Sequence, residues 1–446
     1  MKKITLLIGL CISLHLPAQE AVSLSLDQAI DYALKNSTAS VNAQRDIKIA
    51  RKKKQETIAT GLPQLDIQVD YQHWLKQQVS LIPAEFFGGN VGEFAEVSFG
   101  TQQNMTASAT LKQLIFDGSY IVGIQSVYTY LEIAEQAQEK TMMGLRKAVI
   151  NAYGNVLLSE ESIRILTGNL HSLTKTLEET ERVYENGLIE EESVEQLKIT
   201  QASLKSQLSR TVKLSKIAYK MLNITLGIGL DTAVILTDNL SSLTSEASIS
   251  GLANNDFSVL DHIDYRIAKN NEKSKALLLR LAQSKSLPSL ESFINVGYQS
   301  YGESFDFFKQ EQQWFDSSLL GVRLKIPVFS SLERTAATQQ ARIELDKAQT
   351  NTWQQEQELT VELAAAKTDY DYSREAFTTA EQNLRLAKRI EQKQQVKFKE
   401  GLSSSFELAE AQRQLYAMQQ GYLESMLNII RSKAVLDTAL NKPLSP

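Results

Sequence analysis

Four stretches of this chain alternate apolar and polar residues with a period of two. Leu65, Ile67, Val69 and Tyr71 alternate with Asp66, Gln68 and Asp70. Met105, Ala107, Ala109 and Leu111 alternate with Thr106, Ser108 and Thr110. Leu290, Ile294, Val296 and Tyr298 share one parity, interrupted by Ser292, and Leu320, Val322, Leu324 and Ile326 alternate with Gly321, Arg323 and Lys325. Such alternation predicts strands with one wet and one dry face. Four strands cannot close a barrel alone, because small barrels need about eight.

Elsewhere the period lengthens to that of helices. Ser119 to Asn186 has no proline, and at about 1.5 Å per residue it predicts roughly 100 Å of helix. Within it Ile163, Leu166, Leu170, Leu173 and Leu177 step alternately by three and four, a coiled-coil seam. A second long helix is expected from Leu332 to Lys399, followed by a return helix with the seam Leu408, Ala411, Leu415, Met418, Tyr422 and Ile429. Gly187 and Gly401 sit where each long helix must reverse, and glycine takes the left-handed helix end at little cost. The placement of the 7 prolines agrees: none lies between Pro83 and Pro288, and none between Pro327 and Pro443. Proline costs about 3 kcal/mol inside a helix, so both gaps have room for long hairpins.

The two halves repeat one another. Leu111-Lys-Gln-Leu-Ile-Phe116 matches Leu324-Lys-Ile-Pro-Val-Phe329, and Glu185-Asn-Gly187-Leu188 matches Lys399-Glu-Gly401-Leu402 at nearly the same spacing. Gly61-Leu-Pro-Gln-Leu65 matches Ser286-Leu-Pro-Ser-Leu290. Each half reads as lead-in helix, Leu-Pro, strand, loop, strand, long helix, Gly-Leu turn and return helix. The expected organisation is a signal peptide over 1–18, a first structural repeat over 19–240 and a second over 241–446. The repeats form one interlocked protomer, and the unit is too long for a solenoid.

Composition narrows the class. With 43% apolar and 22% charged residues the chain is neither disordered nor collagen-like. A net charge of −5 offers no basic field for nucleic acid. Met1-Lys2-Lys3 and the apolar run Ile4–Leu14 read as an export signal, with Ala18 the last residue removed. Leu10 before Cys11 argues against a lipid-attachment site. Past the leader there is no run of 18 apolar residues, so any membrane entry is by β-strands. Aromatics gather around the strands, among them Trp74, Phe86, Phe87, Phe94, Phe99, Tyr298, Tyr301, Phe305, Phe307, Phe308, Trp314 and Phe315, where an interfacial girdle would lie.

Site chemistry is sparse. Cys11 is the single cysteine, in the leader, and His73, His171 and His262 lack ligand spacing. Ser172-Leu-Thr-Lys175 fits a nucleophile motif but lies in mid-helix, with no pocket around it. Gly227-Ile-Gly229 begins a dinucleotide fingerprint without its third glycine. Lys52-Lys53-Lys54 reads as a solvated helix face. The expectation is no enzyme, no cofactor and no metal.

Taken together, Leu111-Lys-Gln-Leu-Ile-Phe-Asp-Gly118, Leu324-Lys-Ile-Pro-Val-Phe329 and Gly401-Leu-Ser-Ser-Ser-Phe-Glu-Leu-Ala-Glu-Ala-Gln412 resemble the TolC-like outer-membrane efflux protein family. The resemblance runs from Leu24-Ser-Leu-Asp-Gln-Ala-Ile30 to about Leu440. It implies a mainly α protein with long coiled-coil hairpins and a membrane β-barrel portion of four strands per protomer. A homotrimer would close a 12-stranded barrel in outer-membrane lipid and an α-helical tunnel through the periplasm of a Gram-negative cell. The hairpin tips would dock a periplasmic adaptor protein coupled to an inner-membrane transporter. The chain would be the passive exit duct of a tripartite efflux or type I secretion system.

The family's aperture carboxylates lie six and nine residues after the last turn glycine, which here are Glu407 and Glu410. Three copies would set six carboxylates around one axis and repel anions; the plainer alternative is a solvated helix face. Gly187, Leu188, Gly401 and Leu402 are the adaptor-docking candidates. The family's closing latch departs from pattern: its arginine is Ser403, its tyrosine Phe398 and its aspartate Ser193, while Glu190, Glu191 and Glu192 crowd the first tip. The cargo is left open. Two rivals stand beside this reading, a periplasmic adaptor and a soluble exported enzyme with a helical domain.

Overall fold

The computed structural model describes residues 22–249 and 258–441, so the expected signal peptide lies outside the described residues. In chain order the elements begin with β1 (Val22–Leu24), α1 (Leu26–Asn36), α2 (Thr38–Ala59), β2 (Gln64–His73), β3 (Val79–Pro83), β4 (Phe94–Ser98) and β5 (Gln103–Asp117). There follow α3 (Gly118–Glu185), α4 (Glu191–Leu226), β6 (Val234–Leu236), α5 (Leu240–Ile249) and α6 (Ile263–Ser284). The chain continues through β7 (Ser289–Gly302), β8 (Phe315–Lys325), α7 (Glu333–Lys399) and α8 (Ser405–Ala439). The two proline-free helices span 68 and 67 residues. The chain forms two compact units, and each draws on both halves of the sequence.

The first unit comprises the described parts of 1–46, 135–267 and 353–446. It is helical, and its main core joins Val149, Tyr153 and Val156 of α3 to Leu222 and Leu226 of α4, Tyr370 of α7, and Met426, Ile429 and Leu436 of α8. The short strands β1 and β6 pair in parallel at its margin, a feature the alternation in the sequence is too brief to announce. The Tyr153 hydroxyl lies 3.0 Å from both the Leu24 carbonyl and Asp238 Oδ2, and Leu26 N–H donates to the same carboxylate oxygen at 2.6 Å. Burial, reinforced by the Asp238 carboxylate, pushes the phenol well above its usual range, so it stays a hydrogen-bonding hydroxyl. A second buried cluster forms the predicted seam, with Leu166, Leu173 and Leu177 against Val194, Leu197 and Leu204.

The second unit comprises 47–134 and 268–352. Its centre is a four-stranded sheet in the order β2-β5-β7-β8, antiparallel throughout, with β2 and β8 at its edges. The strands have 10, 15, 14 and 11 residues, and about 9–11 tilted residues cross a bilayer. All four predicted strands are present, and β5 and β7 extend beyond the alternating runs. A further hairpin, β3–β4, occupies the loop between β2 and β5. Its strands have only five residues each, too few for alternation to stand out.

Candidate functional site

The sheet register sorts its residues into two faces, because directly opposed residues share a side and side chains alternate along each strand. One face carries Gln64, Asp66, Gln68 and Asp70 of β2 opposite Lys112, Thr110, Ser108 and Thr106 of β5. Further across lie Phe293, Asn295, Gly297 and Gln299 of β7, then Gly321, Leu319, Ser317 and Phe315 of β8. Two charge pairs cross strands on it: Lys112 lies 3.5 Å from Asp66, and Arg323 donates to Glu291 at 2.6 Å. Asn295 Nδ2 donates to Thr110 Oγ1 at 2.7 Å.

The other face carries Leu65, Ile67 and Val69, then Leu111, Ala109 and Ala107, then Ile294, Val296 and Tyr298, then Leu320, Ser318 and Asp316, with Val322 and Leu324 further along β8; apart from Ser318 and Asp316 these residues are apolar. Its large side chains are exposed, Ile67 to 76%. A contiguous exposed apolar face of this size marks contact with lipid or another protein. At the loop end Tyr71 meets Phe305 edge-on at 5.2 Å, and Phe305 meets Phe307 at 5.7 Å and Phe308 at 6.0 Å. Among the described residues no helix is long and apolar enough to cross a membrane.

The hairpin tips lie in the helical unit, and both turns close in the same way. Gly187 and Gly401 each have φ +70°. Gly187 N–H donates to Tyr184 O at 2.8 Å and Leu188 N–H to Val183 O at 3.2 Å; Gly401 N–H donates to Phe398 O at 3.1 Å and Leu402 N–H to Lys397 O at 2.8 Å. These paired bonds form a Schellman cap, which needs a left-handed residue at the glycine position. The leucine that follows is 75% exposed at Leu188 and 77% at Leu402, so neither is used up in packing within the chain. Between the tips lies a cleft of about 580 Å³ lined by residues including Thr176, Val183, Ile189, Gln395 and Phe398.

The structure places Glu407 and Glu410 on one exposed face at the start of α8. Glu407 closes a capping box: its carboxylate accepts from Ser404 N–H at 2.9 Å, and its own N–H donates to Ser404 Oγ at 3.3 Å. Ser404-x-x-Glu407 is legible as this motif in the sequence, a signal that sequence reasoning passed over. Glu410 pairs with Arg413 one turn on. Of the three latch positions, Ser193 accepts a hydrogen bond from the Ser405 hydroxyl at 3.1 Å, while Ser403 Oγ is buried without a protein partner. Phe398 lines the cleft. Lys399 reaches Glu179 at 3.4 Å, a second tie between the tips that spacing alone could not reveal. Farther along α7 and α8, burial raises the Glu391 carboxyl, and burial together with Glu391 raises the Tyr416 phenol.

Comparison with solved structures gives the same fold. CusC, in structures concerned with folding and transmembrane channel formation, matches with a TM-score of 0.75 at 19% identity, over 93% of this chain and 91% of that one. The outer membrane protein VceC of Vibrio cholerae matches with 0.71 at 18% identity, over 93% and 95%. The open state of the MtrE outer membrane channel of Neisseria gonorrhoeae matches with 0.68 at 18% identity, over 93% and 88%. No curated protein matches the chain. A sequence model described as outer membrane efflux protein matches residues 29–227 and 272–442, most of the chain and both long hairpins. The four-stranded sheet with its bare apolar face, the paired coiled coils and this match agree: the chain belongs to the outer membrane efflux protein family, a family of channel proteins of the outer membrane.

Proposed function

We propose that three copies of this chain form the exit duct of a tripartite efflux or type I secretion system. One observation carries the proposal: an antiparallel sheet of four membrane-length strands with two unpaired edges and one apolar face. An exposed edge seeks a partner strand. With four strands per chain, β2 and β8 run in opposite directions, so joining β8 of one copy to β2 of the next keeps every pairing antiparallel. Threefold closure would then give 12 strands with the polar face inward. The two repeats, 19–240 and 241–446, would supply two strands and one hairpin each.

The helical part would stand in the periplasm. The exposed Leu188 and Leu402 beside Gly187 and Gly401 would dock a periplasmic adaptor, through which an inner-membrane transporter delivers substrate. The duct would be passive. Glu407 and Glu410 would face the aperture and favour cations, with Glu407 also holding the first turn of α8. The Ser193–Ser405 and Glu179–Lys399 ties support a closed rest state latched by residues of this chain's own kind. The family match leaves the adaptor and soluble-enzyme readings without support.

Planar bilayers test the proposal. The purified protein should give ohmic steps with cation preference, and E407Q/E410Q should move the reversal potential toward zero. Release of the protein by osmotic shock without detergent would sink the membrane reading. Unchanged selectivity in the double variant would remove only the role of the two carboxylates.

A further inference from the structure

The basic run on α2 is left without a task by everything above. From Lys48 to Glu56 the helix carries Lys48, Arg51, Lys52, Lys53 and Lys54 against the single carboxylate of Glu56, in a chain whose net charge is −5. Arg51, Lys52 and Lys53 are exposed. Lys53 pairs with Glu56 at 2.8 Å, and Lys54 lies 3.9 Å from the centre of the Tyr128 ring. Among the described residues no hydrogen bond or ion pair is formed by Arg51, and Lys52 donates to the neutral Gln55 at 3.0 Å. A run of like charge on one short stretch repels itself, and among the described residues Glu56 is the one carboxylate paired with it.

Its position gives it a use. α2 ends at Ala59 and passes through a short turn into β2, the first strand of the sheet. The join is held firmly: the Tyr120 hydroxyl donates to Ile58 O at 3.1 Å, and Gln113 Nε2 donates to Gly61 O at 2.9 Å. Arg51 to Lys54 therefore lie roughly 8–12 Å of helix below the strands, at 1.5 Å per residue. The residues that flank the strands in the chain are apolar and exposed in the same unit: Leu62 before β2, Phe116 and Ile121 about the end of β5, and Val328, Phe329 and Leu332 after β8, with Phe329 84% exposed. Along the chain the order is strands, exposed apolar flanks, then cations within roughly 12 Å of helix from the strand end, which is about one Debye length. Basic residues just outside a membrane-embedded segment recognise anionic headgroups, each contributing about 1 kcal/mol.

We infer that Arg51, Lys52 and Lys53 form a docking surface for anionic phospholipid headgroups of the membrane leaflet at the helix end of the barrel. The argument rests on charge complementarity and on continuity with the apolar sheet face, and so on the outer-membrane reading. The occupant is a lipid surface, and neither free phosphate nor a second copy of this chain.

Electron spin resonance of boundary lipid tests this on the full-length protein in phosphatidylcholine vesicles. Spin-labelled phosphatidylglycerol should be preferred over spin-labelled phosphatidylcholine by more than about threefold. R51Q/K52Q/K53Q should bring that ratio close to one. Glutamine keeps the helix propensity, and the Lys54–Tyr128 contact is untouched. R385Q/K388Q/R389Q, an equal loss of charge in the other unit, should leave the ratio as it was. An unchanged ratio in the first variant, or an equal fall in the second, overturns the inference. So does displacement of the labelled lipid by inorganic phosphate at constant ionic strength, which would mark a free-anion site. If the first variant loses oligomer while keeping its lipid preference, the stripe belongs to a contact between copies and the inference again fails. Absence of any immobilised lipid would instead overturn the barrel itself.

Discussion

The two units of this chain treat apolar side chains in opposite ways. In the helical unit Tyr153, Leu222, Ile429 and Leu436 are almost wholly buried by their own chain. In the sheet unit Ile67, Leu320 and Val322 stand bare on a face the chain does nothing to cover. Both sets obey the same hydrophobic driving force. The difference is where the covering surface comes from: within the chain for the helices, and from lipid for the sheet. The helical unit has a core of its own, although Ile199, Ile224 and Val361 on its surface are exposed. The sheet unit leaves the edges β2 and β8 unpaired among the described residues, as the proposed closure with further copies requires.

The largest expected effect separates the two directly. Ile429→Ala removes a fully buried side chain and should cost about 2–5 kcal/mol, read as a lower denaturation midpoint by circular dichroism in detergent and in lipid alike. Ile67→Lys should cost about 2–4 kcal/mol when the protein folds into a bilayer, whereas Gln68→Lys, one residue on and on the opposite face, should be close to neutral. Reversible folding into vesicles measures both. Equal costs for Ile67→Lys and Gln68→Lys would break the comparison, because the faces would then not differ in solvent.

Smaller effects sharpen it within the helical unit. Ser404→Ala removes the capping box and should cost about 1 kcal/mol. The loss should be local, seen as faster hydrogen exchange at the Glu407 amide with the core unchanged. Glu391→Gln should have the smallest effect. Burial raises the Glu391 carboxyl, so ionisation in the folded chain is disfavoured. The penalty is absent below the unfolded carboxyl's ordinary range and fully present once pH has risen through the folded value. The variant should therefore be slightly more stable at neutral pH, by a few tenths of a kcal/mol after solvent screening, and indistinguishable in acid. Thermal melts at two pH values check the sign.

Much of this was legible in the residues. Alternation at Leu65–Tyr71 and Leu320–Ile326 marked the outer strands, and the seam from Ile163 to Leu177 marked the coil, because these periods are set by neighbours a few residues apart. Gly187 and Gly401 announced their turns through the same local logic. The capping role of Glu407 was legible from Ser404 three residues before it, and it is the role its hydrogen bonds display. The β3–β4 hairpin and the β1–β6 pair escaped notice because runs of three to five residues carry too little periodicity.

The sequence by itself determined the kinds of the main elements, the extent of the long helices and their points of reversal, since helix and strand periods and glycine turns are encoded within a few residues. Only the tertiary structure decided which strand lies beside which. The order β2-β5-β7-β8 puts Lys112 beside Phe293 and Thr110 beside Asn295, residues far apart in the chain. It likewise decided that Ser405 meets Ser193, that Lys399 meets Glu179, and that Asp238 receives Tyr153. Such pairings follow from how whole faces and coils fit against one another, and no local pattern carries that information.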